Sequence, residues 1–368
     1  MVQAYYPGQM ITGSFQMILT EPKWYQYVAI DLEGMGRVHW TESHTTGTGD
    51  DQRTETTHYS ANETFADQSV VVWGNKAAPH PVKIDPGTFN FPFQLTIPPQ
   101  CPPTFKTFTG NIDYKLCGIV SSQVSEYKIE TPLIISTLID LNQQPQLLEP
   151  ISQSAVKNVT VCCCCNAGEA QLTLTMPKTG FCVVQEHIPV TVVCRNGSSR
   201  QITARVEVAQ SIAYNARGHH KYGSDTIGNF SFQLQPSGSD TKSVEFDLPP
   251  SVILPFTTEI ITISHSVRLW ITHTLDAFSG LFGSPPISVP VVIGNVPFHG
   301  AGQPPLPPSS TQPSAAAPPS QQPGYPPPPQ GPGVPQPVAM PQPEISPNAE
   351  LQSEAPPAYR AVVSGEKF

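Results

Sequence analysis

The sequence predicts an all-β protein of two tandem immunoglobulin-like β-sandwich lobes followed by a disordered proline-rich tail. Three observations lead to this fold class. Apolar side chains recur at every second residue, a strand–diproline–strand unit occurs twice, and 20 of the 43 prolines lie between residues 301 and 360. Periodicity of two is typical of half-buried antiparallel strands, and no long segment has the 3.6-residue period of a helix.

Four runs show the alternation most clearly, and each would place its apolar side chains on one face of a sheet. They are Val28-Ile30-Leu32, Phe91-Phe93-Leu95-Ile97, Phe230-Phe232-Leu234 and Val244-Phe246-Leu248.

The repeat rests on two diprolines, Pro98-Pro99 and Pro249-Pro250. Each follows an alternating strand, and each is followed after five residues by a phenylalanine, Phe105 or Phe256, that opens a second strand. The offset is 151 residues for the prolines and the phenylalanine alike, which indicates two homologous lobes. We assign residues 1–145 to the first lobe, 146–160 to a linker, 161–298 to the second lobe and 299–368 to the tail.

Composition restricts the partners of the protein. The formal net charge of −9 and a pI near 5.5 argue against nucleic acid as a partner. No Lys or Arg occurs from residue 269 to 359, so the tail is no polybasic membrane anchor. No signal peptide and no apolar run long enough for a transmembrane segment is visible, and we expect a cytoplasmic protein.

No residue pattern in the sequence predicts catalysis, a cofactor or a metal site. Cys162, Cys163, Cys164 and Cys165 are contiguous. Neighbours on a strand point to opposite faces, which favours small reduced apolar residues over the alternatives of metal binding or acylation. His39 and the pair His219-His220 lack carboxylates at ligand spacing. We interpret His39 as an outward strand residue and the pair as an exposed turn.

Near the end of the tail stands a Pro-Pro-x-Tyr motif, formed by Pro356, Pro357 and Tyr359. Polyproline II segments are extended before binding, and prolines of this kind dock into the aromatic groove of a WW domain, with the tyrosine in a neighbouring pocket. Tyr359 with Val362 also fits a tyrosine-x-x-apolar sorting signal of the kind that clathrin adaptors bind as an added strand. The two partners cannot hold Tyr359 at the same time.

Several segments together resemble the α-arrestins, the arrestin-domain-containing proteins, over roughly residues 5–298. They are Tyr6-Pro7-Gly8-Gln9 with Gly13, the segment 36–42 (GRVHWTE), Phe91-Pro92-Phe93 before the first diproline, Cys162 to Cys165, the segment 196–200 (NGSSR) and the segment 289–297 (VPVVIGNVP). The proline-rich tail with a Pro-Pro-x-Tyr motif is similar to the tails of that family.

The resemblance implies two arrestin-like lobes and a non-enzymatic adaptor. Its partners would be membrane receptor or transporter cargo and the WW domains of a HECT-type ubiquitin ligase. The outcome would be ubiquitination, endocytosis and endosomal sorting, with recruitment to the plasma membrane and endosomes. The alternative is an arrestin-fold subunit of an endosomal sorting coat, similar to the retromer components.

This chain departs from the family pattern in three respects. Family members usually begin with an extra strand before the Tyr-x-Pro-Gly segment, whereas this sequence starts almost at that segment, so either the strand is missing or the sheet edge is completed differently. The basic residues that sense phosphate near that strand have no counterpart. Only one Pro-Pro-x-Tyr motif is present where the family commonly has two.

Overall fold

The computed structural model describes residues 4–47, 52–122, 124–161, 165–183, 185–273, 287–299 and 359–364. Nearly all regular structure in these residues is β-strand. Both lobes and the last strand belong to one compact unit.

Among the described residues, the first lobe contains ten strands, arranged mainly in two facing sheets. The strands are β1 (Ala4–Tyr5), β2 (Met10–Leu19), β3 (Lys23–Tyr25), β4 (Tyr27–Thr46), β5 (Arg53–Gly74), β6 (Val82–Ile84), β7 (Gly87–Thr96), β8 (Phe105–Lys106), β9 (Gly110–Ser121) and β10 (Glu126–Ile135). The larger sheet has the order β1-β10-β9-β4-β5 with β8 beside β9, β2 pairs with β7 in the facing sheet, and β3 pairs with β6.

The described part of the second lobe repeats this arrangement with ten strands. They are β11 (Ile151–Val161), β12 (Cys165–Met176), β13 (Gly180–Cys182), β14 (His187–Asn196), β15 (Ile202–Ala216), β16 (His219–Leu234), β17 (Ser239–Asp247), β18 (Phe256–Thr257), β19 (Ile261–His273) and β20 (Ile287–Gly294). One sheet has the order β13-β20-β19-β15-β16 with β18 beside β19, and the other has the order β11-β12-β14-β17.

The predicted fold class is confirmed, and the core follows the alternation. In β4 the side chains of Val28, Ile30 and Leu32 are buried, as are Val38 and Trp40 on either side of the exposed His39. Each lobe has a continuous apolar cluster between its sheets. Burial of apolar area between two sheets is the main stabilising contribution in such a sandwich.

The 151-residue repeat reappears in the strand register. Phe105 pairs with Ile112, and Phe256 pairs with Ile263 at the same offset. The turn that follows is duplicated too, because the amide of Thr107 donates to the carbonyl of Gly110 and the amide of Thr258 donates to the carbonyl of Ile261, both at 2.8 Å. Equivalent residues therefore make equivalent hydrogen bonds, which is the physical meaning of the matched sequence offset.

The segment between the lobes differs from the predicted linker. Residues 141–143 and 145–148 form two short 3-10 helices, and β11 begins at Ile151, so residues 151–160 of the predicted linker are a strand. β11 lies at a sheet edge, and from residue 151 to 158 its side chains alternate only between partly buried and exposed, with Val159 buried, so polar residues are tolerated on both faces and the apolar alternation in the sequence is weak. The residues before it are fixed to the second lobe, since Asn295 accepts from the amide of Ile139 at 2.7 Å and donates to the carbonyl of Thr137.

A final strand, β21 (Tyr359–Ser364), lies within the segment that the sequence assigns to the disordered tail. It pairs in parallel with β2, with Tyr359 opposite Gly13 and Val362 opposite Gln16. For these six residues the prediction of disorder is corrected. The physical reason is that no proline follows Pro357, while valines favour a strand wherever an unpaired edge is available.

Candidate functional site

The two lobes meet in a buried seam formed by the duplicated turns. The rings of Phe105 and Phe256 pack edge to face, with centroids 5.6 Å apart and an interplanar angle of 72°. Beside them the hydroxyl groups of Thr107 and Tyr214 are hydrogen-bonded at 2.7 Å, and Tyr214 is buried. The apolar core of the first lobe continues across this seam into the second lobe, where it includes Ile260.

Aromatic side chains extend the seam toward the two long hairpins, β4–β5 in the first lobe and β15–β16 in the second. Tyr59 of β5 stacks on Trp40 at 5.3 Å and lies 4.7 Å from the ring of His219 in β16. His219 and His220 are exposed as predicted, but they belong to β16, so the prediction of a turn at these residues is wrong. The turn comes two residues earlier, where Arg217 has a positive φ of 54°.

The predicted tail residues are placed only in part. Pro356 and Pro357 lie outside the described residues, whereas Tyr359 and Val362 belong to β21. The structure thus brings the tyrosine of the motif to the edge of β2, about 350 positions away in the sequence. Sequence analysis missed this pairing. The signal that would have suggested a strand is the short β-branched stretch after the last proline, Val362-Val363.

Comparison of the two lobes shows which strand position β21 occupies. In the second lobe β14 lies between β12 and β17, and in the first lobe the corresponding strand β2 lies between β21 and β7. β12 precedes the short parallel strand β13, so its counterpart would precede β1, where the sequence resemblance expects a further strand. In the described residues the second neighbour of β2 is β21. The pairing is parallel, whereas that of β12 with β14 is antiparallel.

β2, the strand with which β21 pairs, is firmly packed within the first lobe. Phe15, Gln16 and Met17 are all buried, although successive residues of a strand point to opposite faces. The side-chain Nε2 of Gln16 donates to the side-chain Oδ1 of Asn90 in β7 at 3.0 Å. Phe15 lies against Gly118 of β9, where a Cβ atom would come within 2.3 Å of its ring.

A cleft of about 650 Å³ lies on the large sheet of the first lobe, and charged residues from three adjacent strands line one side of it. Lys128 donates to Glu33 at 2.7 Å, and Lys115 lies 2.6 Å from Glu130 and 3.2 Å from Glu33. The hydrogen bond from Lys128 lowers the pKa of the Glu33 carboxyl, and the hydrogen bond to Glu130 raises the pKa of Lys115. These charges neutralise one another and link the strands across the sheet.

Titratable groups in the interior favour their neutral forms. Burial raises the pKa of the Cys117 thiol to about 11 and that of Cys194 to about 12, so both remain thiols at neutral pH. Burial also lowers the pKa of His265 to about 4. In the described part of the chain no cluster of three or more His, Cys, Asp or Glu residues could hold a metal ion. Cys162, Cys163 and Cys164 lie outside that part, and Cys165 begins β12.

No helix among the described residues is long and apolar enough to cross a bilayer. The fold and its seam define a class of protein with two lobes that are copies of one β-sandwich unit. Two family models match it in order, "Arrestin (or S-antigen), N-terminal domain" over residues 2–142 and "Arrestin (or S-antigen), C-terminal domain" over residues 166–298.

Curated relatives agree with the family models. The chain is 25% identical to arrestin domain-containing protein 17 of Caenorhabditis elegans over 310 residues, which are 80% of this chain and 68% of that protein. It is 27% identical to arrestin domain-containing protein 4 of Homo sapiens and of Mus musculus, over 78% and 77% of this chain and 61% of each relative. The chain belongs to the arrestin family, among the arrestin domain-containing proteins or α-arrestins. Members of the family are generally non-enzymatic adaptors, which supports an adaptor role for this chain.

Proposed function

We propose that this α-arrestin links membrane receptors or transporters to a WW-domain ubiquitin ligase of the HECT type, and so promotes ubiquitination, endocytosis and endosomal sorting of the cargo. The observation that carries the proposal is the motif Pro356-Pro357-Ala358-Tyr359 behind an arrestin body. Pro356 and Pro357 dock into the aromatic groove of the WW domain, and Tyr359 enters the pocket beside it.

A single motif of four residues binds weakly, on the order of micromolar, or about −8 kcal/mol. Affinity increases when one ligase carries several WW domains or when several adaptors gather on one membrane, because later binding steps then become intramolecular. The protein works in the cytoplasm and is recruited to the plasma membrane and to endosomes by its cargo.

The position of the motif suits a ligase that must reach bound cargo. The 58 residues between Pro297 and Pro356 span about 40 Å as a flexible chain, and further where prolines stiffen it. Residues 299–366 contain no lysine, so the arm itself offers no ubiquitin acceptor before Lys367. Acceptors lie on the lobes, at Lys367 or on the cargo.

The test compares the full-length protein with Tyr359→Ala and with the matched control Tyr325→Ala, which changes a tail tyrosine outside a Pro-Pro-x-Tyr motif. Purified tandem WW domains of a HECT-type ligase are titrated against each protein by calorimetry. We expect parent and Tyr325→Ala to bind alike and Tyr359→Ala to lose at least tenfold in affinity. Equal binding by all three proteins would refute the assignment of the motif.

A further inference from the structure

The large sheets of the two lobes differ at one position, which is an arginine in the second lobe and a cysteine in the first. Arg268 of β19 and Cys117 of β9 are 151 residues apart, at the offset of the repeat. We infer that the cleft on the first lobe binds an arginine side chain of a basic, extended partner segment, in the place that Arg268 fills in the second lobe. The partner is the cytoplasmic flank of a membrane cargo protein, and this choice of partner rests on the proposed function.

The strand register makes the two positions equivalent. β9 lies between β10 and β4, and β19 lies between β20 and β15, so both strands have the same place in their sheets. Cys117 pairs with Asp31 of β4. Arg268 pairs with Glu207 of β15. Each position thus has an acid beside it, and in the second lobe that acid faces a cation.

In the second lobe Arg268 is held by partners on three strands. Its guanidinium lies 3.7 Å from the carboxylate of Glu207. It also donates to three serine hydroxyl groups, those of Ser211 at 2.6 Å, Ser266 at 3.1 Å and Ser224 at 3.2 Å. The arginine therefore covers this part of the sheet with a charge that is compensated and hydrogen-bonded.

In the first lobe the equivalent place is the open cleft. The residues at the positions of the three serines all line it, and in the order of Ser211, Ser224 and Ser266 they are Met35, Thr64 and Lys115. The buried thiol of Cys117 is too short to reach across them as Arg268 does. The volume of about 650 Å³ lies within the range of about 300–1,000 Å³ that is typical of ligand sites.

The charge around the cleft favours a cation from outside. In the lining that the structure describes, four carboxylates face two cations, namely Glu33, Asp67, Asp113 and Glu130 against Arg37 and Lys115. Lys115 is already paired with Glu33 and Glu130. The exposed Asp67 and Asp113 stand where the second lobe has the uncharged Thr226 and Ser264. Two further negative charges thus surround the place from which the arginine is absent.

Asp31, beside the cleft, shows the same lack of a cation. Its Oδ1 atom is buried and accepts no hydrogen bond from the described residues. Its counterpart Glu207 has the guanidinium of Arg268 nearby. A buried acceptor without a donor is unfavourable, and such an acceptor is what removal of the arginine from the second-lobe arrangement would leave.

The remaining lining indicates what accompanies the arginine. Met35, Pro132 and Ile134 line the cleft, and the last two are exposed. A guanidinium group pairs with carboxylates in a planar, bidentate geometry that an ammonium group does not reproduce, and an adjacent apolar side chain covers the exposed apolar residues. Cytoplasmic segments next to transmembrane helices are enriched in Lys and Arg, so cargo proteins supply such a segment close to the membrane.

Two fluorescein-labelled peptides serve as probes for the full-length protein. One contains two arginines separated by a leucine within glycine and serine residues, and the other has lysines in place of both arginines. Fluorescence anisotropy measures their dissociation constants. We expect the arginine peptide to bind at least fivefold more tightly than the lysine peptide, because both have the same charge and differ in hydrogen-bond geometry.

A charge-removal variant tests the location of the site. Asp67→Asn with Asp113→Asn removes two negative charges from the cleft and keeps the size of both side chains. The control, Asp225→Asn with Glu245→Gln, removes the same charge from exposed strand residues of the second lobe. We expect at least fivefold weaker binding of the arginine peptide to the cleft variant and unchanged binding to the control.

A second variant fills the cleft from within. Cys117→Arg places in the first lobe the arginine that the second lobe has, and Cys117→Ser is the control of similar size. We expect Cys117→Arg to bind the arginine peptide at least tenfold more weakly than the parent, and Cys117→Ser to bind as the parent does. Because Cys117 is buried, thermal unfolding verifies that each variant is folded. If Cys117→Arg does not fold, the charge-removal variant decides.

Equal binding of both peptides by the parent, or equal binding of the arginine peptide by the cleft variant and its control, would overturn the inference. Self-association of the parent in sedimentation without binding of either peptide would assign the cleft to a second copy and would overturn it too. WW-domain titration separates the two proposals. A protein that binds the WW domain but not the arginine peptide retains the proposed function and loses the inference. A protein that binds the arginine peptide but not the WW domain loses the link to the ligase and retains the arginine site.

Discussion

Phe105 and Phe256 occupy the same position in the two repeats, 151 residues apart, and their rings are in contact across the seam between the lobes. Each is held by the same pairing within its own lobe, to Ile112 or to Ile263. The duplicated unit therefore packs against its own copy. In a single sandwich a phenylalanine at this position would pack only within its own lobe. In the tandem protein it also joins the two lobes.

This contact predicts energetic coupling between the lobes. Phe105→Leu and Phe256→Leu each keep an apolar side chain but remove the edge-to-face contact, and an aromatic pair of this geometry contributes about 0.5–1.5 kcal/mol beyond its buried area. In a double-mutant cycle by chemical denaturation we expect a coupling of that size. Purely additive single effects would show that the rings do not stabilise the seam.

Gly118 predicts a strong steric effect in the first lobe. A Cβ atom there would lie 2.3 Å from the ring of Phe15, the buried residue of β2. We expect Gly118→Ala to lower the free energy of unfolding by about 1–3 kcal/mol, as overpacking does. Gly223→Ala is the control, because Gly223 is also in a strand but has no atom within 4 Å of a Cβ position. Its effect should remain within about 0.5 kcal/mol, and equal losses from both variants would contradict the steric explanation.

His265 predicts a loss of stability in acid. It is buried on β19, its Nδ1 atom has no hydrogen-bond partner, and burial lowers its pKa from 6.5 to about 4. Between these values the unfolded chain binds the proton and the folded chain does not, so stability falls as the pH decreases through this window. The shift corresponds to about 3 kcal/mol.

The measurement is urea denaturation at a series of pH values from 7 to 4. The variant His265→Leu cannot titrate at this position and should lose the part of the slope that His265 contributes. Carboxyl groups with lowered pKa values, such as Glu33, continue to contribute in both proteins, with stability lost as they become protonated. Identical pH profiles for parent and variant would exclude His265 as the cause.

The lysine distribution predicts where ubiquitin attaches. Lys83 and Lys106 are exposed on the first lobe, whereas Lys178 is largely buried beside Glu186, 2.5 Å away. After reaction with a HECT-type ligase we expect remnants on exposed lobe lysines or on Lys367, and none on Lys178. Mass-spectrometric mapping checks this, and a remnant on Lys178, or a modified sample with remnants on neither the exposed lobe lysines nor Lys367, would contradict the expectation.

Much of the fold was accessible from the sequence because it depends on local patterns. The alternation of apolar residues in β4 and β7 shows which face of each strand is buried. The 151-residue offset between the two diprolines indicates a duplicated unit, and neither inference needs knowledge of a tertiary contact. The weakly alternating edge strand β11 was assigned to a linker, and His219-His220 was assigned to a turn. At sheet edges and on long exposed hairpins few side chains are fully buried, so a strand there need not have an apolar residue at every second position of the sequence.

By itself the sequence determined that the protein has two β-sandwich lobes of arrestin type and that its tail contains a Pro-Pro-x-Tyr motif. Only the tertiary structure decided that Phe105 meets Phe256 and that Tyr359 pairs with Gly13. The physical reason is that burial and turn formation depend on neighbouring residues, whereas an open sheet edge accepts any strand with free amide donors. Its partner can therefore come from any distance along the chain.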